Sequence, residues 1–214
     1  MTCPKAKLAV LISGTGSTMQ NLVKAIEHGD LPARIELVIA SRSDAPGIAR
    51  ARAAGLRCEV LPRKTFSGVE AYSEALRVCI NEVGVDLVCM AGFLCFWQIP
   101  PQWMGRSLNI HPSLLPNFGG PGMHGLHVHQ AVIKAGATRS GCTVHFADNQ
   151  YDHGPIILQR ACPVYPDDTP ETLAARVFAE EILAYPEAIK KVWLDMNHPD
   201  APQKAVNHCP PVQR

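Results

Sequence analysis

The chain has 214 residues, 47% of them apolar and 18% charged, with a formal net charge of +1. That length suits one well-cored domain, and the charge excludes a chain-wide surface for nucleic acid or another polyanion. No apolar run reaches the length of a membrane span and no secretory leader precedes the first apolar run, so a cytoplasmic protein is expected.

Lys7 to Ser13 (KLAVLIS) is a nearly continuous apolar run, as expected of a buried parallel strand. From Ser17 to His28, Met19, Leu22, Val23 and Ile26 recur at helical spacing. Ile35–Ser41 reads as a second strand, Ala45–Ala54 as a short helix closed by Gly55, and Arg57–Pro62 as a third strand. Val69–Val83 reads as a helix ended by Gly84, and Asp86–Gly92 as a fourth strand. Alternation at this spacing implies βαβ units and a parallel sheet.

The pattern then changes. Ser107–His111 (SLNIH) is a fifth strand, a loop rich in Gly, Pro and His covers Asn117–Gly125, and His127–Ala135 is helical. Two strands follow, Ser140–Asp148 and Pro155–Val164, separated by a turn. A long amphipathic helix begins with Thr169 as N-cap and Pro170 at its first position, and runs to Val192. The expected fold is α/β: an open, mostly parallel twisted sheet with helices on both faces, Rossmann-like. It forms a single domain over residues 1–196. Residues 197–214 are expected to be a tail, either an edge strand or disordered. The eight cysteines show no CxxC spacing, which speaks for buried, reduced thiols rather than structural zinc.

LISGTGSTMQ places Gly14 and Gly16 between the first strand and the first helix. The dinucleotide fingerprint needs a third glycine where Met19 stands, and no Gly-Lys-Ser/Thr follows. A small phosphate cradle remains, with Gly16, Ser17 and Thr18 as candidates; the alternative is a tight turn with Ser17 as a cap. Arg42, after the second strand, keeps a 2′-phosphate reading open.

In SLNIHPSLLP, period two puts Asn109 and His111 on one strand face, and Pro112 ends the strand there. His111 is thereby expected at the mouth of the crevice that parallel sheets open at their strand ends. The turn DNQYDHGP adds Asp148 and Asp152. A carboxylate beside the imidazole favours its charged form, orients one tautomer or holds a water, and a neutral amide can donate to a developing oxyanion. Such a set suits acyl transfer to an amine or to water. No GxSxG occurs and no cysteine is read as a nucleophile paired locally with a histidine, so an obvious covalent nucleophile is not indicated. A buried structural histidine and a turn-capping aspartate are the bland alternative.

LISGTGS, MAGFL, LNIHPSLLP, GCTVHFADNQYDHGPII and LAARVFAEEILAYP together resemble the phosphoribosylglycinamide formyltransferase family of folate-dependent enzymes, from about Lys7 to about Lys191. The resemblance implies formyl transfer from 10-formyltetrahydrofolate, as co-substrate, to glycinamide ribonucleotide, without a metal. It implies that Asn109, His111 and Asp152 are catalytic, Asn109 and a protonated His111 holding the oxyanion while Asp152 keeps His111 charged. Gly16, Ser17, Thr18 and Glu181 would hold the nucleotide substrate. Leu94, Cys95, Phe96, Trp97, Asn109, Asp148 and Asp152 would form the folate pocket. Small molecules are the expected partners of a monomer or homodimer, with neither nucleic acid nor membrane involved. A basic C-terminal domain for tRNA and the N-terminal regulatory domain of a hydrolase are not expected.

The chain departs from the family at Cys95 and Val69, where many members carry arginines that face the folate's glutamate tail. It departs also at Asn149, at Thr18, and in a longer loop, NFGGPGMHGLHVH, expected to reshape the nucleotide side of the cleft. His124, His127 and His129 cluster in that loop, but the i, i+2 pair does not share a helix face, and a metal site is not expected.

Overall fold

In the first strand, alternate side chains serve two different cores. Leu8, Val10 and Ile12 pack into one apolar cluster, whereas Ala9 and Leu11 pack into the other. This is the period of two expected of a sheet covered on both faces. The computed structural model describes residues 4–198. Its elements are β1 (Ala6–Ile12), α1 (Ser17–Glu27), β2 (Ala33–Ala40), α2 (Gly47–Ala53), β3 (Cys58–Val60), α3 (Val69–Val83), β4 (Leu87–Met90), β5 (Ser107–His111), α4 (Leu126–Lys134), β6 (Arg139–Phe146), β7 (Ile156–Pro163) and α5 (Pro170–Asn197).

The strands form one sheet in the order β3-β2-β1-β4-β5-β6-β7. The first five are parallel, while β6 runs antiparallel to both β5 and β7. Chain order reverses between β1 and β4, which makes a topological switch point there. Residues from α1, α2, α4 and α5 join the cluster on one face, and Tyr72, Leu76 and Ile80 of α3 join the other. Leu108, Ile110, Cys142 and Val144 belong to the first cluster. Asn109, His111 and His145 therefore face the opposite way, on the side where α3 packs against β2.

The long last helix starts as expected: Thr169 accepts from the Thr172 amide at 3.3 Å in a capping box, with Pro170 at the first turn. It continues to Asn197, past the expected end. Of the expected tail, Asn197 closes this helix, and residues 199–214 lie outside the described residues. Pro186 lies inside the helix and cannot donate to Ile182. Asn21 supplies the missing donor, its Nδ2 reaching the Ile182 carbonyl at 2.9 Å. Beneath the sheet, the buried Tyr185 hydroxyl lies 3.0 Å from both the Met90 and Leu108 carbonyls and ties α5 to β4 and β5.

The cysteines follow the expected pattern only in part. Cys89, Cys142 and Cys162 are buried, but Cys58, Cys79 and Cys95 are half-buried, and all six are free thiols. No helix among the described residues is long and apolar enough to cross a membrane.

Candidate active site

A cleft of about 220 Å³ opens at the switch point. Thr18 lines it after β1, Phe93 to Trp97 after β4, and Asn109 and His111 on β5. Asp148 and Asp152 from the β6–β7 connection complete it, together with Gly120, Gly122 and His124 from the loop after β5 and Glu181 from α5. Of the candidates for the transfer reaction read from sequence, Gly16 and Ser17 are not among this lining and stand at the start of α1.

The β5 pair is set by register. Asn109 sits directly opposite His145 on β6, and His111 opposite Thr143. After Pro112 the chain turns across the sheet, held by Thr143, whose hydroxyl donates to the Ser113 carbonyl at 2.7 Å and accepts from the Leu115 amide at 3.0 Å. This carries Phe118 and Gly120 over the two reactive groups. His111 Nε2 donates to the Phe118 carbonyl at 2.8 Å, and the Gly120 amide donates to Asp152 Oδ2 at 2.9 Å. The extended loop thus clamps histidine and carboxylate together.

A carbonyl can only accept, so Nε2 of His111 carries a hydrogen. Its Nδ1 then faces Asp152 Oδ2 at 3.4 Å. Asp152 itself stands at a φ of 51°, a left-handed conformation that aspartate tolerates better than most residues. Gly154 follows because a Cβ there would lie 1.9 Å from the Phe146 carbonyl oxygen. That close approach explains the glycine of the Asp-x-Gly-Pro motif.

Two expectations change here. Burial pushes the His111 imidazole below its ordinary value, outweighing the pull of Asp152 and the Phe118 carbonyl the other way, so the unliganded site favours neutral His111. Burial alone would raise the Asp152 carboxyl, but its contacts with His145 and His111 and the bond from the Gly120 amide hold it below the usual carboxylate range. The second change concerns Asn109. A carboxylate only accepts, so the Asn109 amide nitrogen is the atom facing Asp152 Oδ1, at 3.3 Å. The same nitrogen lies 3.1 Å from His145 Nε2, and His145 Nδ1 is 2.9 Å from the Phe146 carbonyl. Both amide hydrogens are spent within the protein, so no free donor awaits an oxyanion in the unliganded site.

His145 is therefore a residue of the candidate site that reading the sequence missed. It is 1% exposed and lies within an apolar strand, where a histidine reads as core. Only the register with Asn109 gives it a role. Replacing His145 with phenylalanine keeps the bulk but releases the Asn109 amide; kcat is expected to fall on the order of 10²-fold, as for other misplaced catalytic groups. Steady-state rates beside a thermal melt check this, and an unchanged kcat would remove His145 from the site.

Around the expected phosphate cradle, α1 starts at Ser17 behind a left-handed Gly16, with no side chain capping its amides. The helix N-terminus is left free for an anion. A Cβ on Gly16 would lie 2.9 Å from the Gly47 Cα, so the turn requires glycine for space as well as for its φ of 74°. Arg50 on α2, also missed from sequence, reaches Ser17 Oγ at 3.2 Å and Gln20 Oε1 at 2.9 Å. Glu181 carries a carboxyl that burial pushes up to about 7. Arg42 forms a two-pronged pair with Asp44, at 2.9 and 2.7 Å, and is not among the cleft residues.

Asn149 braces the cleft. Its side chain accepts from the Ile99 amide at 2.7 Å and donates to the Ile99 carbonyl at 3.3 Å, joining the two loops that form the walls. Among the described residues, no three His, Cys, Asp or Glu side chains converge as metal ligands. His153 pairs with Asp148 at 2.8 Å, and the His124 and His127 rings meet edge to face at 5.9 Å.

A switch-point cleft with an amide, an imidazole and a carboxylate in mutual contact, on this seven-stranded sheet, goes with a shared ancestry. The chain belongs to the formyl transferase family, whose model it matches over residues 6–189. Within that family it is similar to the phosphoribosylglycinamide formyltransferase of Haemophilus influenzae, 38% identical over 186 residues that cover 86% of this chain and 85% of that protein. The fold is similar to the crystal structure of glycinamide ribonucleotide transformylase 1 from Symbiobacterium toebii, with a TM-score of 0.81 and 40% identity, covering 87% of this chain and 86% of that one. The trifunctional purine biosynthetic protein adenosine-3 of Drosophila pseudoobscura pseudoobscura is 41% identical over 190 residues, and there the chain spans 14% of the relative's length.

Proposed function

We propose that this formyltransferase moves the formyl group of 10-formyltetrahydrofolate onto the amino group of glycinamide ribonucleotide, giving the formylated amide and tetrahydrofolate. The observation that carries the reading is the convergence of Asn109, His111 and Asp152 in one cleft, with a helix N-terminus at Gly16, Ser17 and Thr18 nearby. Leu94 to Trp97 and Asp148 wall the folate side, and Glu181 faces the nucleotide.

The amine attacks the formyl carbon, and the carbonyl electrons move to oxygen. The Asn109 hydrogen bond to Asp152 is the longer of its two, and the nascent oxyanion takes its place while His145 holds the amide. His111 Nδ1 and Asp152 Oδ2 are two acceptors facing each other across 3.4 Å, one proton short of a hydrogen bond. They accept the proton released by the attacking amine. The intermediate collapses as the carbon–nitrogen bond to the folate breaks, and the leaving nitrogen takes that proton back. The reading includes cytoplasmic location, small-molecule partners rather than nucleic acid, and a monomer or homodimer.

The test is a transfer assay with purified protein, 10-formyltetrahydrofolate and glycinamide ribonucleotide. Release of tetrahydrofolate that depends on the acceptor is the expected result. Release without the acceptor would point to hydrolysis instead, and no release with either would reject the reading.

A further inference from the structure

Asp152 stands in the connection from β6 to β7, and that connection has little backbone bonding of its own. The Phe146 amide donates to the Pro155 carbonyl at 2.9 Å and closes its base. Above that bond, residues 148–154 make no hydrogen bond from backbone to backbone with any of the described residues. Side chains hold the turn instead. Asn149 ties it to Ile99 on the outside. Within the turn, Asp148 Oδ1 accepts from the Gln150 amide at 2.9 Å, and Asp148 Oδ2 faces His153 Nδ1 at 2.8 Å. A carboxylate only accepts, so His153 Nδ1 is the donor. This last bond closes a ring of chain with Asp152 inside it. We propose that His153 is a positioning residue for the transfer reaction: its clasp on Asp148 fixes the turn that aims the Asp152 carboxylate. The assignment rests on the formyl transfer proposed for this cleft.

The aim has little slack. Asp152 meets Asn109 at 3.3 Å, His111 at 3.4 Å and His145 at 3.6 Å, all at or beyond the long end of hydrogen-bond range. A small outward shift of the turn loosens all three together. The Asp152 backbone also resists its own conformation. A φ of 51° is sparsely populated for any residue but glycine, and it persists only where the surroundings enforce it. The Gly120 amide holds the carboxylate from the other side of the cleft, but it does not hold the backbone. The clasp does so from the neighbouring residue. Asp148 Oδ2 is seated close against the chain just beyond, 3.6 Å from where a Cβ on Gly154 would lie.

The plainer reading is a surface ion pair, since the His153 side chain is 62% exposed. Exposed pairs contribute little to overall stability, and that separates the two readings. A merely superficial pair leaves the rate unchanged. A clasp that positions Asp152 changes the rate while the thermal melt stays in place. The bond also survives titration of His153, because a hydrogen on Nδ1 is available to both imidazole and imidazolium.

The experiment uses the full chain in the transfer assay. His153→Ala should lower kcat about tenfold, the effect of one lost hydrogen bond to a charged group where positioning sets the rate. Its thermal midpoint should stay near that of wild type. The acid limb of kcat/KM should move to lower pH, because a displaced Asp152 raises the His111 imidazole less. The other imidazoles facing His111, those of His145 and His129, are unaltered by this change. His153→Asn puts an amide nitrogen where Nδ1 was and should restore most of kcat and the acid limb. In an Asp148→Ala background, His153→Ala should cost nothing further. Wild-type kcat and acid limb in His153→Ala overturn this proposal alone. So does a loss that asparagine fails to restore, or one that merely follows a lowered thermal midpoint. A wild-type protein without acceptor-dependent transfer overturns the functional reading and this proposal with it.

Discussion

Replacing Asp152 with asparagine should lower kcat by about 10²- to 10⁴-fold, the range for losing a positioned acid–base group, with tetrahydrofolate affinity largely kept. The geometry gives the reason. The two carboxylate oxygens accept from Asn109 Nδ2 and from the Gly120 amide, and both lie near an imidazole. An asparagine has one oxygen, so either orientation turns an N–H toward another N–H. That mismatch costs about 1–3 kcal/mol of stability, too little to unfold an ordinary domain. Rates should therefore fall in protein that still melts cooperatively. Turnover of the variant against its tetrahydrofolate affinity separates the two effects, and near-normal kcat would take Asp152 out of the chemistry.

The pH profile supplies an independent check with a defined sign. His111 titrates below its ordinary value because burial dominates, and Asp152 is the main group opposing that shift. The free enzyme is competent while the pair is one proton short, so kcat/KM should fall on the acid side as His111 takes up a proton, below the ordinary imidazole value of about 6.5. Removing the Asp152 charge removes what raises the imidazole. The residual activity of Asp152→Asn should then lose its acid limb at a still lower pH than wild type.

What the sequence discloses about this molecule depends on whether the signal is local. The runs at Lys7–Ser13 and Asp86–Gly92 are legible as buried parallel strands because burial on both faces leaves near-continuous apolar letters. Asn109 and His111 can be placed on one face because the period of two is a property of a single strand. The reversal of β6 leaves no comparable mark, since a covered antiparallel strand shows the same letters as a parallel one. His145 acquires its role from pairing 36 residues away. Arg50 meets Ser17 across 33 residues. The Phe118 carbonyl and the Gly120 amide are backbone groups that any residue would supply, so their place over His111 and Asp152 is a matter of path, not composition. The downward shift of His111 is hidden from the sequence for a related reason: the neighbouring aspartate is visible in the turn DNQYDHGP, but the burial that outweighs it is not.

His111→Ala should lose activity by about 10²- to 10⁴-fold as well, yet alanine alone cannot say why. The side chain does two things at once. Nε2 donates to the Phe118 carbonyl and so holds the extended loop over the cleft, while Nδ1 faces Asp152 as a proton acceptor. Alanine removes both and leaves a cavity in a residue position only 4% exposed. Glutamine separates them. Its amide nitrogen can still donate to Phe118, but an amide oxygen is far too weak a base to take the amine's proton. If proton transfer is the function of His111, His111→Gln should restore stability relative to His111→Ala in a thermal melt, while kcat stays as low as in the alanine variant. The acid limb of the rate profile should disappear in both. If glutamine instead restores most of kcat, the loop clamp is what the histidine supplies, and the proton must be carried by Asp152 without it.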